Sequence, residues 1–335
     1  MIETTDLYND AIVIDACSPL MVFNKEYVGY YSRGGVTAVA PTVTAFGGNA
    51  SEQVKMLGEW LKFVRQNPKV LLVKSMEDIR RAKREERLGL IFHFQGTDSL
   101  EANLDLLDAY YALGVRMIQL TYNVKNRVGD GCTERTDSGL SEFGIKVVQR
   151  MNELGIAVDC SHTGHRTTLE AMEVSSRPVV FSHANAKALF DNKRNITDEQ
   201  IKALAATRGV IGVNVVPYYM VNTIRPTMDH VLDHIEYIAN LVGVDHVGIG
   251  FDYFGGQQPF ISEEEATRLW QTGVDKGKYT PEVTPAPTQL YPEGLDTPEY
   301  MPNLVPAMLK RGFSQEDVRK ILGGNWMRVF AEIWQ

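Results

Sequence analysis

The sequence predicts an α/β protein: a (β/α)8 barrel of the TIM type with helices appended at its C-terminus. Three observations carry that expectation. Short apolar runs rich in Val and Ile alternate with longer segments of helical period between residues 11 and 250, the pattern of a parallel sheet whose crossovers are helices. The runs number about eight, which favours closure of the sheet into a barrel. No glycine-rich nucleotide fingerprint follows the first run, and an open doubly wound sheet, the competing arrangement, loses its main signature with it.

The elements follow in order. Residues 11–14 form the first strand and 36–43 the second. A helix over 51–66 stops at Asn67-Pro68, because proline lacks the N–H that would continue it. A strand over 70–73, a helix over 76–86 and a strand over 88–94 come next. The helix over 104–113 ends at Gly114, 115–120 is a strand, and the helix over 140–154 ends at Gly155, the residue type that most easily takes a left-handed cap. Two strands running to His162 and His183 flank a helical stretch over 164–176. A helix after the Thr197 cap, a strand over 209–213, a helix over 227–242 and a strand over 247–250 complete the alternation. Residues 257–298, rich in Pro, Gly, Glu and Thr, read as an irregular insertion beside the last strand, of the length that serves as a lid. Residues 303–335 read as a C-terminal helical segment, so the whole chain, 1–335, reads as one barrel domain.

With 335 residues, 44% of them apolar, the chain can bury a sizeable core. A net charge of -8 argues against nucleic acid or an anionic membrane surface as partner. No apolar run approaches the length of a membrane span. The start, Met1-Ile2-Glu3-Thr4-Thr5-Asp6, is acidic and lacks the basic-then-apolar order of a secretory signal. Cys17, Cys132 and Cys160 make no disulfide framework, which suits a reducing compartment, and a cytoplasmic location is expected.

Barrel enzymes assemble their sites at the carboxyl ends of the strands. There the sequence repeats itself: Val158-Asp159-Cys160-Ser161-His162 and Val179-Val180-Phe181-Ser182-His183 each run an apolar strand into Ser-His. Neighbouring strands lie about 4.8 Å apart, so the two rings can converge on one point, and neutral imidazole is the commonest metal ligand. The plainer alternative is a pair of buried histidines that only hydrogen-bond to strand ends. Other strand ends contribute Asp15-Ala16-Cys17-Ser18-Pro19, His93-Phe94-Gln95-Gly96, Thr121-Tyr122-Asn123, Asn214 and Gly250-Phe251-Asp252. Asp252 is the candidate for proton transfer; Gln95 and Tyr122 are candidates for hydrogen bonding.

Taken with further segments, these motifs resemble the renal or membrane dipeptidase family. The segments are Phe143-Gly144 with Met151-Asn152-Glu153-Leu154-Gly155, the run from Val158 to His162, and the run from Pro178 to Ala186. Arg194-Asn195-Ile196-Thr197-Asp198, His246 to Asp252, and Ile321-Leu322-Gly323-Gly324-Asn325-Trp326 complete them. The resemblance covers nearly the whole chain. It implies a barrel of the metal-dependent hydrolase kind, amidohydrolase-type metallopeptidase chemistry on a dipeptide or related small molecule, and a homodimer. It further implies that His162 and His183 hold the second metal position, that Arg194 binds a substrate carboxylate, and that Asp252 is the acid/base beside the bridging water.

The chain departs from the family pattern in a coherent way. The His-x-Asp pair that holds the family's first metal falls on Cys17 and Pro19, the bridging glutamate on Gln95, and a substrate-polarising histidine on Tyr122. Two divalent ions about 3.5 Å apart repel by roughly 19 kcal/mol even at an effective dielectric of 20, and two of the anionic ligands that would offset this are replaced. The expectation is therefore one zinc ion per chain on His162 and His183, with Gln95 through its amide oxygen and Cys17 through its thiolate as further candidate ligands. Tyr122 would then donate to a developing oxyanion and line the substrate pocket, while Arg194 clamps a carboxylate. The loop 123–138, with Lys125, Arg127, Arg135 and Cys132, reads as a solvated loop or a substrate lid in which Cys132 is a ligand or nucleophile. Two alternatives to amide hydrolysis stand: the same barrel and metal used for a lyase or isomerase step, and an inactive barrel that binds without turnover.

Overall fold

The computed structural model describes residues 4–44 and 46–334. Met1-Ile2-Glu3 of the acidic start and Gln335 of the expected terminal helix lie outside the described residues. Ten strands among the described residues form one parallel sheet: β1 Ile14–Ser18, β2 Ala38–Pro41, β3 Val70–Leu72, β4 Leu88–Leu90, β5 Phe92–Gln95, β6 Val115–Gln119, β7 Ala157–Asp159, β8 Val179–Phe181, β9 Val210–Val213 and β10 Val247–Ile249. Nearly every strand residue is buried, as continuous apolar strands covered on both faces must be.

The sheet closes. β1 pairs with β10 through Asp15 and Ile249, and β10, β9, β8, β7, β6 and β5 follow as parallel neighbours. β4 and β5 are two halves of one strand broken at Ile91: β4 pairs with β2, and a bridge from Thr42 to His93 carries β2 on to β5. The result is an eight-membered (β/α)8 ring. β3, expected as a barrel strand, stands outside it and pairs only with β4.

Helices cover the outside where the sequence places apolar stripes and caps. Glu142–Leu154 starts from Ser141, whose side chain accepts from the Gly144 N–H, and ends at Gly155 with φ 74°. Among the described residues three α-helices precede the second strand where no element is expected: Thr4–Asp10, Leu20–Phe23 and Val28–Arg33. A fourth, Glu263–Asp275, lies in the segment read as irregular, capped by Ser262 and opened by three glutamates, which favour a helix N-terminus.

The amino ends of the strands are sealed by the last helix, Asn325–Ile333. Ile14, Ala38, Ala157 and Val210, each first in its strand, share one apolar cluster with Trp326, Phe330 and Ile333, and Trp326 Nε1 donates to Ile249 O at 3.0 Å. The opposite end stays polar. There the strand ends crowd: a Cβ on Gly250 would sit 1.7 Å from Ser182 O, and one on Gly212 2.2 Å from the same oxygen. Glycine at both places lets β8, β9 and β10 approach closely, which brings His183 and Asp252 to the same side of the mouth.

Candidate active site

β7 and β8 deliver the two Ser-His segments. β7 stops at Asp159, short of Cys160, and the buried carboxylate of Asp159 ties the two strand ends together. Its Oδ1 accepts from Ser161 N and Ser182 N, both at 2.9 Å, and Ser161 Oγ accepts from His183 N at 3.1 Å. Burial opposes this charge, but hydrogen bonds from His93 Nε2, at 3.0 Å, and from Ser182 hold the carboxyl well below its ordinary value. His162 turns back at φ 62°, and the Nε2 atoms of His162 and His183 come to 2.9 Å of each other.

The surroundings fix both tautomers. Asn123 Oδ1 lies 2.6 Å from His162 Nδ1 and only accepts, so that nitrogen carries the hydrogen. Ser182 Oγ gives its own hydrogen to Asp159 Oδ2 at 2.5 Å and so accepts from His183 Nδ1 at 2.7 Å. Both Nε2 atoms are left with lone pairs that face each other. Burial, and after it the Arg194 charge, push both rings far below the ordinary histidine range, so a shared proton is disfavoured. Facing neutral lone pairs fit a metal ion: zinc–nitrogen bonds of about 2.0–2.1 Å place two ligand nitrogens about 3.3 Å apart. Each ring is also backed by an acceptor, as metal-bound imidazoles usually are.

β10 and β1 bring the next donors. Asp252, at φ 57°, is pinned to β1 by its N–H, which donates to Cys17 O at 3.0 Å. Its Oδ2 stands 3.9 Å from His183 Nε2, and its Oδ1 accepts from Cys17 Sγ at 3.6 Å. Gln95 turns its amide nitrogen, not its oxygen, to Cys17 Sγ at 3.0 Å. Burial lifts the Asp252 carboxyl to about 7, against the lowering effect of Arg194 and the Cys17 hydrogen bond. A cation at the site would draw it down again.

Tyr122 stacks on the His162 ring, centroids 4.3 Å apart and 23° from parallel. Burial, then neighbouring tyrosines, raise its phenol well above the ordinary value, so it stays protonated and able to donate. It lines a cavity of about 280 Å³ together with Gln95, His162, Asp252, Tyr219 and, from the segment read as irregular, Trp270 and Tyr279. Arg194 does not line that cavity. It is 2% exposed and borders a second cavity of about 330 Å³ on the far side of His162. Its Nη2 donates to His183 O at 2.7 Å, while Nε and Nη1 are buried without partners.

In the 123–138 loop, Cys132 donates from Sγ to Asn123 Oδ1 at 3.6 Å and from its N–H to His162 O at 2.8 Å. Burial pushes its thiol up to about 11, although Arg194 pulls the other way. An activated nucleophile shows the opposite shift, and the two contacts tie Cys132 to Asn123 and His162. Asn123, Ser182 and Asp159, which hydrogen-bond to or behind the two histidines, carry no role in the sequence analysis. The signal available was a charged residue inside an apolar strand, Asp159, and an amide at the end of the neighbouring one, Asn123.

The family model for membrane dipeptidase (peptidase family M19) matches residues 37–269 and 284–335. The chain belongs to this family. Among curated relatives, dipeptidase tcpJ of Claviceps purpurea is 30% identical over 265 residues, 78% of this chain and 55% of its own length. The uncharacterized dipeptidase C965.12 of Schizosaccharomyces pombe is 36% identical over 175 residues, 50% of this chain and 42% of its own. The chain thus spans about half the length of these two relatives. An amidohydrolase from Pseudomonas aeruginosa superposes with a TM-score of 0.87 at 32% identity, covering 99% of both chains. A metallo peptidase from Rhodobacter sphaeroides, solved with a phosphinate mimic of the dipeptide L-Ala-D-Ala, shares the fold at 20% identity, with a TM-score of 0.79 over 97% of this chain and 100% of its own. Membership in the membrane dipeptidase family implies a metal. No helix among the described residues is long and apolar enough to cross a membrane.

Proposed function

We propose that the protein hydrolyses the amide bond of a small carboxylate-bearing substrate, a dipeptide or a modified amino acid, at a centre holding one zinc ion. The observation that carries this reading is the pair of facing Nε2 lone pairs of His162 and His183, 2.9 Å apart, with the Asp252 carboxylate 3.9 Å from one of them. An ion bound there supplies a Lewis acid and a water acidic enough to be a nucleophile near neutral pH.

The chain's own groups do the rest. Asp252 accepts the proton of the attacking water and returns it to the leaving amine, a task that suits a carboxyl beside the reacting centre. Arg194, which borders the second cavity behind His162 and keeps N–H groups at Nε and Nη1 without a partner in the protein, binds a substrate carboxylate that reaches past His162, through charge-assisted hydrogen bonds. Tyr122 donates its hydroxyl to the oxygen that becomes negative as the carbonyl is attacked. With Gln95 in place of a bridging anion and Pro19 offering no side-chain donor, a second divalent ion finds too little negative charge to overcome its repulsion by the first. The same loss narrows the substrate range, so simple L,L-dipeptides are turned over weakly. The family resemblance is also the ground for expecting a dimer.

The test is Asp252→Asn. It should abolish amide hydrolysis on the best substrate of a panel of dipeptides and N-acyl amino acids, with the metal content and circular dichroism of the parent protein. Undiminished turnover in this variant would overturn the assignment.

A further inference from the structure

Two histidines do not complete a coordination sphere. We propose that Cys17 supplies a thiolate to the ion bound by His162 and His183, forming a His2Cys centre whose fourth position faces Asp252. This deepens the single-metal reading above and rests on it.

Cys17 sits at the end of β1 and is fully buried. Its Sγ, a ring nitrogen of His183 and a carboxylate oxygen of Asp252 all lie within 4.8 Å of one another, and among the described residues no other such trio of His, Cys, Asp or Glu side chains gathers so closely. Sulfur and nitrogen ligands of one zinc stand about 3.5 Å apart, so a side-chain movement on the order of 1 Å brings Cys17 into place beside His183; His162 is not part of that trio and joins the site through its 2.9 Å approach to His183. Burial, then the carboxylates of Asp252, Asp15 and Asp159, push the Cys17 thiol well above its ordinary value, so it is the coordinated cation that would draw its proton off. Gln95 Nε2 donates to the sulfur at 3.0 Å, the kind of outer hydrogen bond that orients a ligand and stabilises its charge. That contact also commits the Gln95 amide to the sulfur rather than to the ion.

Charge counting agrees. One thiolate and the Asp252 carboxylate balance one dication, whereas nothing at Pro19 or Gln95 would balance another. The thiol hydrogen, directed at Asp252 Oδ1, would leave to solvent as the sulfur binds, so loading releases one proton per ion. Three protein ligands leave one open position, which catalytic zinc centres need. Asp252, next to that position, keeps its carboxylate for proton transfer.

Cobalt(II) is the probe. Metal-free protein titrated with cobalt should show a near-ultraviolet sulfur-to-cobalt charge-transfer band that saturates at one equivalent. Cys17→Ser should lose the band and bind cobalt at least about tenfold more weakly, while Cys132→Ser and Cys160→Ser keep it. X-ray absorption of the zinc-loaded parent protein, which requires no variant to fold, should show one sulfur neighbour at about 2.3 Å. Cobalt bound without the band, or a zinc shell without sulfur, overturns the role of Cys17 and leaves the single-metal reading standing. Failure of the parent protein to bind either ion overturns both.

Discussion

Asn123 Oδ1 accepts a hydrogen bond from His162 Nδ1 across 2.6 Å, and Asn123 itself is held at φ 56°. His162 and Asp252 share that left-handed backbone region, which costs side-chain-bearing residues on the order of 1–3 kcal/mol. Three neighbours around one point therefore hold unfavourable backbone conformations, and tertiary contacts such as the Asp252 N–H to Cys17 O bond keep them there. The left-handed turn at His162 and its contact to Asn123 set where the Nε2 atom of His162 points.

The first prediction follows from that contact. Asn123→Ala removes the acceptor that sets the His162 tautomer, so metal affinity should fall about 10–100-fold with the fold retained. Competition against a chromophoric chelator measures it. Unchanged affinity would mean that Asn123 does not orient the ring.

Much of the architecture was legible because it rests on local rules. Alternating apolar runs and stops at Gly114 and Gly155 located barrel strands and helices, and the twin Ser-His segments foretold two imidazoles that converge, their Nε2 atoms 2.9 Å apart. The short helices over residues 4–33 were not, because their stability comes from packing rather than caps or propensity. Tyr31, for example, is buried and hydrogen-bonds Ser18, a contact 13 positions away in sequence. β3 reads as a ring strand because apolar character does not say which neighbour a strand pairs with. Residue types at strand ends pointed to His162, His183 and Asp252, and the fold brings His183 Nε2 to 2.9 Å from His162 Nε2 and 3.9 Å from Asp252 Oδ2. The service of Asn123 to a histidine 39 positions away depends on strand order, and the displacement of Arg194 behind His162 depends on loop geometry, neither of which periodicity encodes.

A second prediction concerns Arg194. Arg194→Ala should raise KM about 10–100-fold, the worth of a charged hydrogen-bonded pair, with a smaller effect on kcat, because a carboxylate contact is made equally in ground and transition states. Arg194→Lys should recover only part of the loss. Steady-state kinetics on a carboxylate substrate and its amide analogue check this. Equal discrimination between the two in parent and variant would remove Arg194 from substrate binding.

His234 tests the acid stability of the scaffold away from the site. It is 2% exposed; its Nδ1 accepts from Ala186 N and its Nε2 donates to Met220 O, both at 3.2 Å. Burial lowers its pKa from 6.5 to about 4, against the raising effect of the Met220 contact. Below about 6.5 the unfolded chain binds a proton that the folded protein refuses. The contribution of His234 is therefore complete above that pH and is lost as pH falls toward 4, amounting to about 3 kcal/mol over the window. His234→Gln should be less stable at neutral pH yet show a shallower fall between pH 6.5 and 4 in urea denaturation. Parallel curves for parent and variant would contradict the assignment.

The central claim is one ion held between His162 and His183. Elemental analysis of purified protein, dialysed against metal-free buffer and then loaded with zinc, tests it most directly. The expected result is one tightly bound equivalent per chain, lost when both histidines are changed to Ala. Two tightly bound equivalents, or one that survives the double change, would contradict it.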